Sequence, residues 1–193
     1  MALWQSSNLS PAVVSLAKHF KNPYLVGGGI RDALLGLTPH DFDLSVSETP
    51  SEIISILDRN NIKAVTVGAN HLTVTAVVSE DMQVEISTYR SLDNAGNIVY
   101  GNNINDDLKL RDFTVNSIAL SLLDYSLVDP LSGQEDINAK ALRINHEDRL
   151  IEDPLRILRF FRFISVLGFS PDFQTEQLVR KHKDKLAQVS VER

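Results

Sequence analysis

Residues 24–46 read "YLVGGGIRDALLGLTPHDFDLSV", and this stretch restricts the fold more than any other. A short apolar run ends in three consecutive glycines and a helical pattern follows at once. The chain must therefore pass from strand to helix where side chains are unwelcome. The glycines let backbone N–H groups approach an anion, and a helix beginning near Ile30 aims its positive end at the same place. Further on, Asp41 and Asp43 flank Phe42. In an extended strand, residues i and i+2 share a face about 6.5 to 7 Å apart, so the two carboxylates project together while Phe42 turns to the core. Such a pair can share divalent cations about 3.5 to 4 Å apart, the arrangement used in phosphoryl and nucleotidyl transfer. Each signal is weak alone, since a tight turn and a strand-end acid pair give the same letters.

The chain has 193 residues and no cysteine. A metal must then be held by carboxylates, carbonyls or histidines, which favours magnesium over zinc, and a disulfide partner is excluded. No apolar run approaches the roughly 18 residues that span a bilayer, and the start "MALWQSSNLS" lacks the pattern of a signal peptide, so the expectation is a cytoplasmic protein with no membrane contact. Charge is unevenly divided. Residues 1–138 hold 8 Lys/Arg against 17 Asp/Glu, and residues 139–193 hold 11 against 8. An acidic front suits metal and nucleotide, and a basic back suits nucleic acid, although uneven solvated faces give the same balance.

Pattern divides the chain at the same point. Ser10 and Pro11 open a helix, "YLVGG" is a strand, "IRDALLG" a helix and "DFDLSV" a strand. Thr49, Pro50 and Glu52 form a capping box ahead of "SEIISILDRN". Strands are expected around 62–67, 71–78 and 82–88, then a long Asn/Gly-rich loop over 91–107 with a short hairpin in it, then a helix through "DLKLRDFTVNSIALSLL". Beyond residue 146 apolar positions recur at helical spacing through "LIEDPLRILRFFRFISVLGF", and Ser170 and Pro171 open a last helix. The sequence thus describes an α+β unit over 1–138 and a helical segment over 139–193.

Three further constellations carry chemistry. In "MQVEISTYR", alternation puts Val84 and Ile86 on one face and Glu85 on the other, where it joins the aspartates if the strands are neighbours. In "LRDFTVNS", a helix would set Asp112 and Asn116 on one face with Arg111 at its edge, a group suited to ribose hydroxyls or to a plain salt-bridge network. In "EDPLRILRFFRF", Asp153 and Arg156 are spaced as an i, i+3 pair. Their acceptor and donor fork match the amine and ring nitrogen of cytosine and adenine and disfavour uracil and guanine, while an ordinary intrahelical ion pair is the plainer reading.

The order "GGGIRD", "DFD", "VEISTYR", "RDFTVNS", "EDPLRILRFFRF" resembles the successive motifs of the class II tRNA nucleotidyltransferase and bacterial poly(A) polymerase family, over about residues 24–165. The resemblance implies a nucleotidyltransferase head, a small mixed β-sheet flanked by helices, followed by an all-helical neck that similar proteins continue further. It implies Asp41, Asp43 and Glu85 as catalytic, metal-binding acids for two Mg2+ ions. It implies Gly28, Gly29 and Arg31 at the phosphates, Arg111, Asp112 and Asn116 at the ribose, and Asp153 and Arg156 at the base. The implied reaction is addition of C and/or A from CTP and ATP to the 3′ end of tRNA, with release of pyrophosphate. Two departures stand out: Leu110 and Ser117 replace the family's usual arginine and alanine. The basic "G-R-R-F"-like stretch of the polyadenylating branch is absent from "VTVGANHLTVTAVV", which favours tRNA over poly(A) synthesis. A non-catalytic nucleotide- or RNA-binding module of the same fold is the reading from another class, and three metal-facing acids speak against it.

Overall fold

The computed structural model describes residues 9–39, 41–66 and 73–189. Along the chain run α1 (Pro11–Ala17), β1 (Tyr24–Val26), α2 (Gly28–Leu34), β2 (Asp43–Val46), α3 (Pro50–Arg59), β3 (Lys63–Val65), β4 (Thr73–Ser79) and β5 (Met82–Thr88). They are followed by β6 (Arg90–Leu92), β7 (Ile98–Tyr100), α4 (Ile104–Lys109), β8 (Ala119–Ser121) and β9 (Leu127–Val128). The rest is α5 (Gly133–Ala139), β10 (Ala141–Leu142), α6 (Asp148–Glu152), α7 (Leu155–Leu167), β11 (Ser170–Pro171) and α8 (Phe173–His182). Among the described residues no helix is long and apolar enough to cross a membrane.

Seven strands form one mixed sheet in the order β3-β4-β5-β2-β1-β8-β9. Its pairings are antiparallel except for β2 with β5, where the excursion through α3, β3 and β4 returns the chain in the same direction. α3 forms where the capping box placed it: the Thr49 N–H donates to Glu52 Oε2 at 2.8 Å and the Glu52 N–H to Thr49 Oγ1 at 3.4 Å. A cap of this kind contributes about 1 kcal/mol. α3 then buries Ile53 and Leu57 against Leu44, Val74, Val84 and Ile86 of the sheet. The same apolar cluster runs on through Phe113, Val115 and Ile118 to Ile157, Phe160 and Phe163 of α7, so the helical segment packs directly on the sheet domain.

Several expectations need correction. α2 begins at Gly28 rather than Ile30, and among the three glycines Gly27 alone has a positive φ, 78°. β2 begins at Asp43, leaving Asp41 in the preceding connection. Within 91–107 the expected hairpin forms from β6 and β7, but the loop is shorter than expected because α4 already opens at Ile104. The expected helix over 107–123 breaks into the end of α4, a 3₁₀ turn at Thr114–Asn116 and strand β8. Tertiary partners claim its backbone. The Thr114 N–H donates to the Arg143 carbonyl, the Asn145 N–H to the Asp112 carbonyl, and β8 pairs with β1. The β-branched Thr114, Val115 and Ile118 also weaken helical preference there. "DPLSGQEDI", which reads as a turn, instead carries the start of α5, whose first N–H groups are capped by Asp129 at 2.7 and 2.9 Å. After residue 139 the chain is not all-helical: non-helical stretches separate α5, α6, α7 and α8, β10 and β11 form a parallel pair, and Ser170 and Pro171 lie in β11, so the last long helix opens behind Asp172. The strand ends expected at 67 and at 71–72, the "GANHL" part of the stretch compared with polyadenylating proteins, the opening residues 1–8 and the final 190–193 lie outside the described residues.

Candidate active site

The one parallel pairing of the main sheet decides where the acids stand. Asp43 of β2 and Glu85 of β5 are register partners, and partners in neighbouring strands lie on the same face. Val84 and Ile86 are buried on the opposite face while Glu85 is exposed. Phe42 is half-buried against the core, as alternation with Leu44 requires. Burial raises the pKa of Asp43, Glu85 and Asp41 push it further up, and Arg111 pulls it back. Like charges gathered without a counter-ion are expected to have this effect, and a cation relieves it.

The glycines explain how Asp41 joins them. A Cβ on Gly29 would stand 2.7 Å from the Asp41 carbonyl oxygen, so the side-chain-free first turn of α2 is what lets the Asp41 segment lie against it. A Cβ on Gly27 would stand 3.3 Å from Asp43 Oδ2 and 3.5 Å from Arg111 Nη1, which locates that arginine beside the carboxylate.

Arg111 is held by a residue that sequence reasoning missed. Asp107 of α4 is 1% exposed; its Oδ2 accepts from Arg111 Nε and Nη2 at 3.2 and 3.1 Å, and its Oδ1 from Arg90 Nε at 2.7 Å. Burial alone would raise the Asp107 pKa, but Arg111 and Arg90 outweigh it and hold the carboxyl below its ordinary range. Leu110, at the position where an arginine was expected, is buried.

Asp112 and Asn116 do not share an α-helix, yet they meet: Asn116 Nδ2 donates to Asp112 Oδ1 at 3.1 Å across the 3₁₀ turn. Asn116 Oδ1 accepts from Arg31 Nη1 at 2.6 Å, and Arg31 also holds Asp32 at 2.7 Å. Arg31 and Asn116 thus brace Asp112 from behind rather than standing free. Ser117, the second departure, is buried: its hydroxyl donates to the Phe113 carbonyl and accepts from Asn145 Nδ2.

Asp153 and Arg156 are not an intrahelical ion pair. Pro154 ends α6 at Asp153, and α7 starts afresh at Leu155. Asp153 Oδ1 accepts the Leu155 N–H at 3.2 Å, while Arg156 Nη1 donates to the Arg149 carbonyl at 3.1 Å and lies 3.6 Å from Glu152. Burial lowers the pKa of Arg156, with Asp112, Asp153 and Glu152 acting against it. A guanidinium remains protonated through such a shift.

One cleft of about 690 Å³ gathers these groups. Gly27 to Gly29, Asp41 and Asp43 line one part, Arg90, Arg111, Asp112 and Asn116 another, and Asp153, Arg156, Arg159 and Arg162 a third. Glu85 lies beside Asp43 and is not among the lining side chains. Sequence reasoning missed Arg159 and Arg162. The signal was the three-residue spacing of arginines from 156 to 162, hidden in the general basicity of the C-terminal segment. Among the described residues no three carboxylates or histidines stand close enough to close a metal shell by themselves. The acids whose charge acts on Asp43 are Glu85 and Asp41, and carboxylate oxygens suit a hard cation such as magnesium.

A mixed sheet with a carboxylate pair on its parallel strands and a helical segment closing the cleft defines a nucleotidyltransferase head. The chain belongs to the poly A polymerase head domain family, whose model matches residues 23–143. The CCA-adding enzyme of Streptococcus uberis is 38% identical over 178 residues, covering 88% of this chain and 43% of that protein. The CCA-adding enzyme of Geobacillus stearothermophilus is 35% identical over 190 residues, covering 94% of this chain and 45% of that one. A crystal structure of the Bacillus stearothermophilus CCA-adding enzyme in complex with CTP matches with a TM-score of 0.84 and 33% identity, over 95% of this chain and 47% of that one. A tRNA nucleotidyltransferase complexed with a primer tRNA and an incoming ATP analog matches with a TM-score of 0.73 and 30% identity, over 92% and 52%. The chain thus spans about half the length of these relatives.

Proposed function

We propose that the chain is the catalytic part of a template-independent RNA nucleotidyltransferase that adds C and/or A to the 3′ end of tRNA from CTP and ATP. The observation that carries this reading is the single cleft in which Asp43, Asp112 and Arg156 open together. Its volume of about 690 Å³ leaves room for one nucleoside triphosphate, with phosphates by the glycines, ribose by Asp112 and base by Asp153 and Arg156. The relatives named for CCA addition, and the structures holding CTP or an ATP analog with tRNA, support the choice of substrates.

In the reaction, the RNA 3′-hydroxyl oxygen forms a bond to the α-phosphorus and the bond to the β-phosphate oxygen breaks, so pyrophosphate leaves with the displaced charge. Asp41, Asp43 and Glu85 would hold magnesium, which supplies charge neutralisation at the phosphates and acidifies the attacking hydroxyl. Water and substrate phosphate would complete its coordination. Gly28 and Gly29 present first-turn N–H groups to the triphosphate, and Arg111, fixed by Asp107, adds a cation beside Asp43. Arg31 and Asn116 set Asp112 for the ribose. Residues 1–138 then form the head and 139–193 the first part of the neck, in a cytoplasmic enzyme whose longer relatives carry more chain.

The test is titration of the chain with CTP, ATP, UTP and GTP in magnesium buffer, followed by transfer to tRNA lacking its 3′ end. Binding of CTP and ATP above UTP and GTP supports the reading. Equal binding of all four, or binding unaffected by Asp43→Asn, overturns it.

A further inference from the structure

Both carboxylate oxygens of Asp112 are engaged. Oδ1 accepts from the Phe113 N–H at 2.8 Å and from Asn116 Nδ2 at 3.1 Å. Oδ2 accepts from Arg159 Nε at 2.7 Å and lies 2.6 Å from Nη2 of the same guanidinium as an ion pair. Three hydrogen bonds and this contact therefore occupy both oxygens, which offer about four lone-pair sites between them. Arg159 is held in turn by Phe163, one helical turn on, with its guanidinium carbon 5.2 Å from the ring centroid; Arg31 stands 5.3 Å from the same ring. The two residues differ in exposure: the Asp112 side chain is 8% exposed and that of Arg159 is 44%. Phe113 and Asn116 are buried, so the donor able to give way to a ligand is one arm of Arg159.

This inference rests on the ribose site described above. We propose that Arg159 is a positioning residue that sets the preference for ribose over deoxyribose. Its Nε hydrogen bond and Nη2 ion pair hold Asp112 in one rotamer. When a ribose 2′-hydroxyl arrives, Arg159 gives up its Nη2 contact with Oδ2 and the hydroxyl donates there instead, beside the Nε bond. The remaining bond and the arginine's charge keep Asp112 a strong acceptor. A deoxyribose brings no hydroxyl, the pair keeps both contacts, and nothing is gained. Sugar choice is thereby placed on α7, three residues from Arg156, and not on the sheet domain alone.

The test compares CTP, dCTP and UTP binding by calorimetric titration of the unmodified chain, Arg159→Met and Arg159→Lys. Met keeps the apolar stem against Phe163 and removes the charge; Lys keeps the charge with a single donor head. The expected result is a CTP-over-dCTP preference that falls roughly tenfold in Arg159→Met and is retained in Arg159→Lys, with CTP-over-UTP preference kept in both. Full CTP-over-dCTP preference in Arg159→Met overturns the proposal, as does its equal loss in Arg159→Lys. Loss of both preferences together in Arg159→Met also overturns it, because that pattern marks a loosened α7. An unmodified chain that separates CTP from UTP but not from dCTP defeats this inference and spares the nucleotide site; one that binds no CTP defeats the site itself.

Discussion

Asp43 and Glu85 face each other across the one parallel strand pair of the main sheet, and the pKa of Asp43 is raised by burial and then by Glu85. A carboxyl whose native pKa exceeds its unfolded value of 3.8 binds its proton more tightly in the fold, so its contribution weakens the fold as pH rises through that window. Asp43→Asn should therefore melt at or above the unmodified protein at neutral pH while losing nucleotide transfer. Magnesium should raise the melting temperature of the unmodified chain and leave the variant unmoved. A variant that still transfers, or that melts well below the parent, contradicts the carboxylate site.

Gly29→Ala separates the turn from the chemistry. The added methyl meets the Asp41 carbonyl at 2.7 Å, so the connection ahead of β2 must shift, at a cost of about 1 to 3 kcal/mol. Transfer should fall by at least tenfold, because Asp41 moves with its backbone. Gly36→Ala is a control for stability by a different route: its left-handed φ, 77°, is strained for alanine, but its Cβ meets no atom within 4 Å. Equal activity in the two variants would show that Asp41 need not be held where it is.

Asp107 gives a pH dependence of the opposite sign. Its native pKa is depressed, so its contribution is present above the unfolded value of 3.8 and is lost as pH falls through the native one. Asp107→Asn should cost roughly 3 kcal/mol at pH 7, since Arg90 and Arg111 lose their shared counter-ion. Urea unfolding of parent and variant at pH 7 and again near pH 3 should show the gap narrowing in acid. A gap that stays constant would mean that the variant fails through packing rather than charge.

Asp153 does two jobs in this geometry, and a careful substitution can divide them. Its Oδ1 caps the N–H of Leu155, so Asp153→Ala removes a cap worth about 1 kcal/mol along with the charge. Asp153→Ser keeps an oxygen for the cap and removes the charge. The serine variant should bind UTP and GTP roughly ten- to hundredfold better relative to CTP and ATP than the parent does, with little change in melting temperature. Unchanged base preference in the serine variant would assign base choice to other residues.

What the sequence revealed and what it hid follow from which forces are local. The capping box at Thr49 and Glu52 was legible because its two bonds lie within four residues. The shared face of Asp43 and Glu85 was legible because strand alternation is local, although their adjacency was a condition that only the sheet order could meet. The helix expected over 107–123 failed because Arg143 and Asn145, distant in sequence, take its backbone partners. Asp153 and Arg156 were correctly grouped by spacing, but Pro154 between them signalled a helix end that the i, i+3 count passed over. Asp107 and Arg159 were unreadable for a simpler reason. Each looks like a surface charge in one dimension, and each gains its role from a partner on another element.

The parallel pairing of β2 with β5 also fixes when the acids can meet. Asp43 and Glu85 are joined only after the whole of α3, β3 and β4 has been laid down between them, so their encounter is a long-range closure whose entropy must be met before the strands reward it. A nascent or partly folded chain carries the carboxylates apart, with no site to capture a divalent ion. Magnesium uptake at the proposed site should therefore be a late event on the folding pathway, and a magnesium-sensitive signal in a stopped-flow refolding trace should time the completion of this sheet.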